Sequence, residues 1–157
     1  MKYKRTILAV LALFVLMTGF FSLYEGSALI DNTEQWKYTA VISQMMNEGE
    51  VLEKSEISQL DFFLYAIKFR PFFPASMIVF ILLMIFVAVF PFIHRRTSLP
   101  IMGVYLLLFI VSLIVQPAEQ GIASFLDALR YSSLLLCLST FILVKSPTLF
   151  NRKVVNE

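Results

Sequence analysis

Apolar residues gather into four long runs, at about 6–24, 74–95, 99–116 and 122–145, separated by polar stretches of very unequal length. An α-helix rises 1.5 Å per residue and a bilayer's hydrocarbon core is about 30 Å thick, so a span needs roughly 17 to 25 mostly apolar residues. The first and third runs contain no charge, and the second contains none before Arg95. In the fourth, the uncharged part from Tyr131 to Val144 is too short to span, so its helix must reach back through IASFLDALR and take in Asp127 and Arg130. On the insertion scale, a charged residue at the midplane costs about 2.5–3.5 kcal/mol and each Leu, Ile, Phe or Val returns about 0.3–0.6. The apolar residues around the two charges roughly cancel that cost, so four transmembrane helices are predicted.

Punctuation supports these boundaries. Only HRRTS separates the second and third runs, which predicts a tight antiparallel hairpin. Pro100 suits a first helical turn with Ser98 near the cap, while Pro91 should kink the end of the second helix. The segment 25–73 is too long for a structureless connection and is expected to fold. Within it, DNTEQWKYTAVISQMMNEG offers Asp31 and Asn32 as caps, Glu34 in the first turn and Gly49 as C-cap. Trp36, Ala40, Val41, Met45 and Met46 recur at helical spacing, a stripe best read as packing or interface anchoring. Further on, in SQLDFFLYAIKFRPFFP, Ser58 and Asp61 have capping-box spacing and Pro71 sets the helix end. Its aromatic residues, with Lys68 and Arg70, suit the headgroup layer.

Composition agrees with a membrane chain. Of 157 residues, 59% are hydrophobic and 15% charged, against about 45–50% and about 25% in soluble domains. Low-complexity tracts and internal repeats are absent, so a single membrane domain, 1–157, is expected. The net charge of +2 matters less than its distribution. Lys2, Lys4 and Arg5, then Arg95 and Arg96, then Lys145, Arg152 and Lys153 fall on one side of a four-span arrangement. By the positive-inside rule that side is the cytoplasm, with both termini inside and anionic lipid as a partner there. Acidic residues outweigh basic ones in 25–73, which makes that segment extracytoplasmic. The first run exceeds a signal peptide's apolar core and no A-x-A site follows it, so it is expected to remain as an anchor.

Reactive groups are few. Cys137 lies alone in an apolar run, and His94, the single histidine, stands beside Arg95 and Arg96. Neither builds a metal centre or a catalytic pair. No nucleophile-elbow, zinc-protease, phosphate-loop or dinucleotide motif occurs. The expectation is a non-enzyme with no cofactor, no metal and no nucleic-acid partner. Asp127 and Arg130, at i and i+3, form a candidate intramembrane polar pair, structural if they bind each other and functional if they line a polar path. Ser132, Ser133, Cys137, Ser139 and Thr140 should turn the fourth helix into the bundle. Topology alone would bring Glu25 toward Arg130. Candidate outer-surface interaction residues are Glu25, Trp36, Asp61, Tyr65, Lys68 and Arg70.

YEGSALIDNTEQWKYTAVIS after one hydrophobic segment, and LDFFLYAIKFRPFFP leading into the next, resemble the short uncharacterised YjdJ-like membrane proteins of Bacillus-type bacteria. The resemblance covers roughly residues 20–80 and leaves the last two spans unexplained. It implies a bacterial plasma membrane and supplies no site residues. The sequence therefore predicts an all-α polytopic membrane protein with four transmembrane helices and a helical extracytoplasmic cap between helices 1 and 2. Its expected role is that of an accessory, regulatory or assembly component with a membrane-protein partner or a second copy of itself. The alternative is a small oligomeric transporter or channel using Asp127 and Arg130.

Overall fold

The computed structural model describes residues 2–92 and 97–145, and the described residues form helices and turns. In chain order the α-helices are α1 (Lys2–Gly26), α2 (Thr33–Thr39), α3 (Val41–Met46), α4 (Gln59–Phe69), α5 (Phe72–Val89), α6 (Ser98–Ile114) and α7 (Gln120–Lys145). Three helical stretches, Tyr3–Asp31, Phe72–Val89 and Gln120–Lys145, are long and apolar enough to cross a membrane, as in a multi-pass membrane protein. The fourth apolar helix, α6, has 17 residues, about 26 Å of rise. His94, Arg95, Arg96, Arg152 and Lys153 lie outside the described residues.

The bundle inverts the burial pattern of a soluble protein. Leu16, Phe20, Leu107, Leu113, Leu135 and Ile142 are exposed, whereas Ser22, Ser112, Ser133 and Thr140 are completely buried. Lipid-facing surfaces can be apolar at no cost, while small residues let helix backbones approach. Each of these buried hydroxyls donates to a carbonyl of its own helix, as Ser22 does to Thr18 at 2.7 Å and Thr140 does to Leu136 at 2.8 Å.

α1 and α5 pack closely. Phe14 stacks on Phe80 and Phe21 on Phe73, with ring centroids 5.1 and 5.0 Å apart. Lys4 Nζ donates to the Ala88 carbonyl at 2.9 Å, placing a cation on the last turn of α5 where open carbonyls accept it. α7 packs against both α5 and α6, and Leu82, Tyr105 and Leu136 meet in one apolar cluster. The expected α5–α6 hairpin is therefore looser than the short connection suggests: α6 packs chiefly on α7, and α5 packs on both α1 and α7. Pro91 falls in a 3₁₀ turn, Phe90–Phe92, that follows α5, consistent with the loss of its N–H from the α-helical ladder.

Between α1 and α5 the chain builds a helical cap with its own core: Leu29, Trp36, Ala40, Val51, Ile57 and Tyr65. The single helix expected over 31–49 is broken. A 3₁₀ turn, Ser27–Asp31, leads into α2, and Ala40 (φ −82°, ψ 48°) interrupts the helix before α3. That break resets the helical phase: Trp36 and Ala40 stay in the core, while Met45 and Met46 turn outward at 76% and 72% exposure. Gln44 Nε2 bridges the break by donating to the carbonyls of Trp36 (2.8 Å) and Lys37 (3.2 Å).

The end of α3 also departs from expectation. Glu48, not Gly49, takes the left-handed conformation, with φ 52°. The Gly49 N–H donates to the Gln44 carbonyl at 3.2 Å, the six-to-one bond of a Schellman ending with Glu48 at the position glycine favours. α4 begins as expected at Ser58, whose Oγ accepts from Leu60 N, and ends before Pro71. Pro71 and Pro74 then fall at the N-cap and third position of α5, where a missing N–H leaves no ladder bond unmade.

Two glycines fix α4 on the bundle. A Cβ on Gly26 would collide with the Phe62 carbonyl, and one on Gly121 with the Lys68 carbonyl. The backbone of α4 thus lies against α1 near its start and against α7 near its end, a crossing that only glycine allows.

Candidate functional site

Asp61 organises the cap. Its side chain is completely buried, and its carboxylate accepts from the backbone N–H groups of Ile42 (2.9 Å) and Ser43 (2.8 Å) and from the Ser43 hydroxyl. Ile42 and Ser43 occupy the first turn of α3, whose N–H groups lack intrahelical acceptors and carry the positive end of the helix dipole. An α4 residue therefore caps α3. Ser43 Oγ in turn accepts from the Ser58 N–H at 2.7 Å, so the donor that a capping-box Asp61 would have bound is taken by Ser43. Ser58 still caps α4 by accepting from the Leu60 N–H at 3.3 Å, and Asp61 is spent on another helix.

Two further candidates also turn inward. Trp36 Nε1 donates to the Leu29 carbonyl at 2.8 Å, and Tyr65 Oη accepts from Asn32 Nδ2 at 3.0 Å. Trp36, Asp61 and Tyr65 are candidate outer-surface interaction residues by sequence. In the fold their polar atoms have partners across the cap, and the side chains fill its core.

Lys68, Arg70 and Glu25 lie at the junction of cap and bundle. Lys68 Nζ pairs with Glu119 at 3.5 Å and sits 5.0 Å from the Phe69 ring centroid, beside the Gly121 crossing. Arg70 and Glu25 both line a cleft of about 670 Å³, with α5 side chains and with Ser124 and Ala128 of α7. Glu25 is thus placed on a groove with Arg70 and forms no ion pair with Arg130.

Asp127 and Arg130 do meet, at 2.9 Å between Oδ1 and Nη1. The other guanidinium nitrogen, Nη2, donates to the Ser112 carbonyl at 2.9 Å. That carbonyl belongs to the last turn of α6, where a cation complements the helix dipole and fills an open acceptor. Arg130 therefore clamps α7 to the end of α6, oriented by Asp127, while its buried Nε has no hydrogen-bond partner among the described residues. Cys137 touches the Met102 carbonyl only weakly, at 4.0 Å. No group of three His, Cys, Asp or Glu side chains able to hold a metal occurs among the described residues.

Sequence reasoning missed Ser43, Glu119 and the structural glycines. Gly26 and Gly121 each sit at the polar edge of a long apolar helix where no turn requires glycine. Such a position signals close backbone approach, and it was the available clue. Ser43 carried none, because its role depends on a contact 18 residues away.

No solved structure matches the chain. It is 40% identical over 57 residues to the uncharacterized protein YjdJ of Bacillus subtilis (strain 168), covering 36% of this chain and 52% of that protein. The chain thus spans about half the length of that curated relative. A family model described as a domain of unknown function, DUF4306, matches residues 6–93, more than half of the chain. With all of α1 but its first four residues, the capped α3–α4 pair and α5 inside that match, the chain belongs to the DUF4306 family.

Proposed function

We propose that this protein is a four-span accessory or assembly component of the plasma membrane, with both termini in the cytoplasm and the segment 25–73, which holds the cap, outside, and that it engages a membrane-protein partner through the cap. The supporting observation is a cap that carries large apolar side chains on a surface otherwise rich in charge. Asp61, Trp36 and Tyr65 are satisfied inside, while Met45, Met46 and Leu52 are 76%, 72% and 78% exposed. Exposed flexible methionines suit adaptable protein contacts. The distribution of basic residues along the sequence supports that orientation. Helix α6, about 26 Å long, can serve as the fourth span with modest local thinning of the bilayer.

A transport reading draws less support from the geometry. Arg130 is held by Asp127 and the Ser112 carbonyl, an arrangement suited to joining helices.

Photo-crosslinkers at Met45, Met46 and Leu52, introduced in the native membrane, test the proposal. A reproducible protein adduct from the cap, with none from Leu135 on the lipid face, is the expected result. Adducts to lipid alone from all positions would overturn it. A label reaching Ser55 only from the cytoplasmic side would overturn the topology.

A further inference from the structure

A cleft of about 670 Å³ lies at the base of the cap. Its floor is the first turns of α5, including Ala75, Val79 and Phe80; α1 contributes Glu25 and α7 contributes Ser124 and Ala128. The α4–α5 elbow, Phe69 to Pro71, also lines it. The groove exists because α1 and α7 both pack on α5 without packing closely on each other. The serine hydroxyls in it are already used: Ser76 donates to the Phe72 carbonyl at 2.8 Å and Ser124 to the Gln120 carbonyl at 3.1 Å. The walls therefore behave as apolar surface, and the ionic groups of the lining are Glu25 and Arg70.

These two unlike charges share one groove without pairing, and neither has another ion-pair partner among the described residues. Glu25 ends the apolar stretch of α1 and Arg70 precedes that of α5, so both stand where hydrocarbon gives way to headgroups. We propose that the cleft binds a zwitterionic phospholipid bearing a primary ammonium. The acyl chain lies along α5, Arg70 holds the phosphate and Glu25 accepts hydrogen bonds from the ammonium. Lipid tails are already solvated by hydrocarbon in the bilayer, so the apolar walls position the chain without adding selectivity. Discrimination falls to the two charged contacts. A glycerol headgroup offers Glu25 no cation, and a choline headgroup offers it no N–H donor. This reading is independent of whether the exposed cap residues engage a protein.

The test is native mass spectrometry of the full chain in mild detergent, titrated in turn with phosphatidylethanolamine, phosphatidylcholine and phosphatidylglycerol of identical acyl chains. The expected result is a preference of about three- to tenfold for ethanolamine, the scale of one charge-assisted contact at a partly exposed site. Glu25→Gln should abolish the preference while retaining residual binding of all three lipids. Arg70→Gln should weaken all three together. Both changes are conservative and lie at a partly exposed rim, and Ala75→Phe, which fills the floor, supplies an independent block. Equal retention of all three headgroups by the unaltered chain would overturn the proposal. So would a choline preference, a preference insensitive to both rim substitutions, or occupation of the groove by a second copy, seen as a dimer lost in Ala75→Phe.

Discussion

Replacing Asp61 with alanine removes the one acceptor shared by the first turn of α3. Three donors lose their partner at a completely buried site: Ile42 N–H, Ser43 N–H and the Ser43 hydroxyl. A hydrogen bond to a charged group contributes about 1.5–3 kcal/mol, and loss of a helix N-cap typically costs about 1 kcal/mol. The three contacts share one carboxylate, and Ser43 can reorient its hydroxyl, so they do not add fully. The expected loss is about 3–5 kcal/mol. Asp61→Asn should lose about 2 kcal/mol, because one amide oxygen remains while the NH₂ faces a donor. The cap has its own apolar core, so the loss should appear as local opening. Hydrogen exchange followed by mass spectrometry in micelles reads it directly. Amides in 41–46 should exchange about a hundred- to several-thousandfold faster in Asp61→Ala, with peptides from α7 unchanged. Exchange in 41–46 within threefold of the parent protein would refute the capping argument. Acceleration in α7 of equal size would refute the separateness of the cap.

Other substitutions probe the remaining joints. Glu48→Gly should stabilise the cap by about 0.5–1 kcal/mol by relieving a left-handed residue with a Cβ, seen as slower exchange in the same peptides. Gly121→Ala forces a methyl group into the Lys68 carbonyl and should cost about 1–3 kcal/mol, lowering the melting temperature in detergent, whereas Gly103→Ala, in open space, should not. Arg130→Gln should destabilise more than Asp127→Asn. The first abandons both the Ser112 carbonyl and the partner carboxylate, whereas the second leaves Arg130 on Ser112, a difference of about 1–2 kcal/mol in denaturation of the α6–α7 pair.

Long apolar runs were legible because their signal is local and repeated. A helix passing through Asp127 and Arg130 follows from counting residues against bilayer thickness, and α7 indeed runs unbroken from Gln120 to Lys145. The helix start at Ser58 and its end before Pro71 were legible for the same reason, since capping and proline sterics act within a few residues. Less legible was anything settled by contacts between distant residues. Asp61 fits a local capping box from sequence, but a buried carboxylate gains more from three donors on α3 than from one N–H of its own helix. The 31–49 segment reads as one helix by periodicity, yet Ala40 breaks it so that Trp36 can stay in the cap core beside Leu29 and Tyr65 while α3 turns its N-terminus toward Asp61. Helix order in the bundle was also hidden, because a short α5–α6 connection does not reveal that α7 packs on both.

Cap and bundle share α4, and its fastenings differ in kind. At its start, Ser58 and Asp61 are bonded to Ser43 of α3. Along its length the backbone touches α1 at Gly26 and α7 at Gly121, contacts with no side chain between them to absorb strain. The Lys68–Glu119 pair reinforces the second crossing, and partial exposure makes it the weaker of the two fastenings. Interiors packed this tightly move as bodies and do not deform continuously. A force or a partner acting on α3 would therefore reach α4 through the Asp61 contacts and act on α1 and α7 together, on either side of the cleft that holds Glu25 and Arg70. Occupancy of that cleft and engagement of the cap are consequently expected to be coupled in either direction, since any change in cap position that alters groove width gives each ligand a different affinity in the two states. The same argument sets a limit. If α4 stays fixed on both glycines while the cap is engaged, groove width is unchanged and the coupling vanishes, so Gly121→Ala, which forces the α4–α7 spacing apart, should change lipid retention even with Glu25 and Arg70 intact.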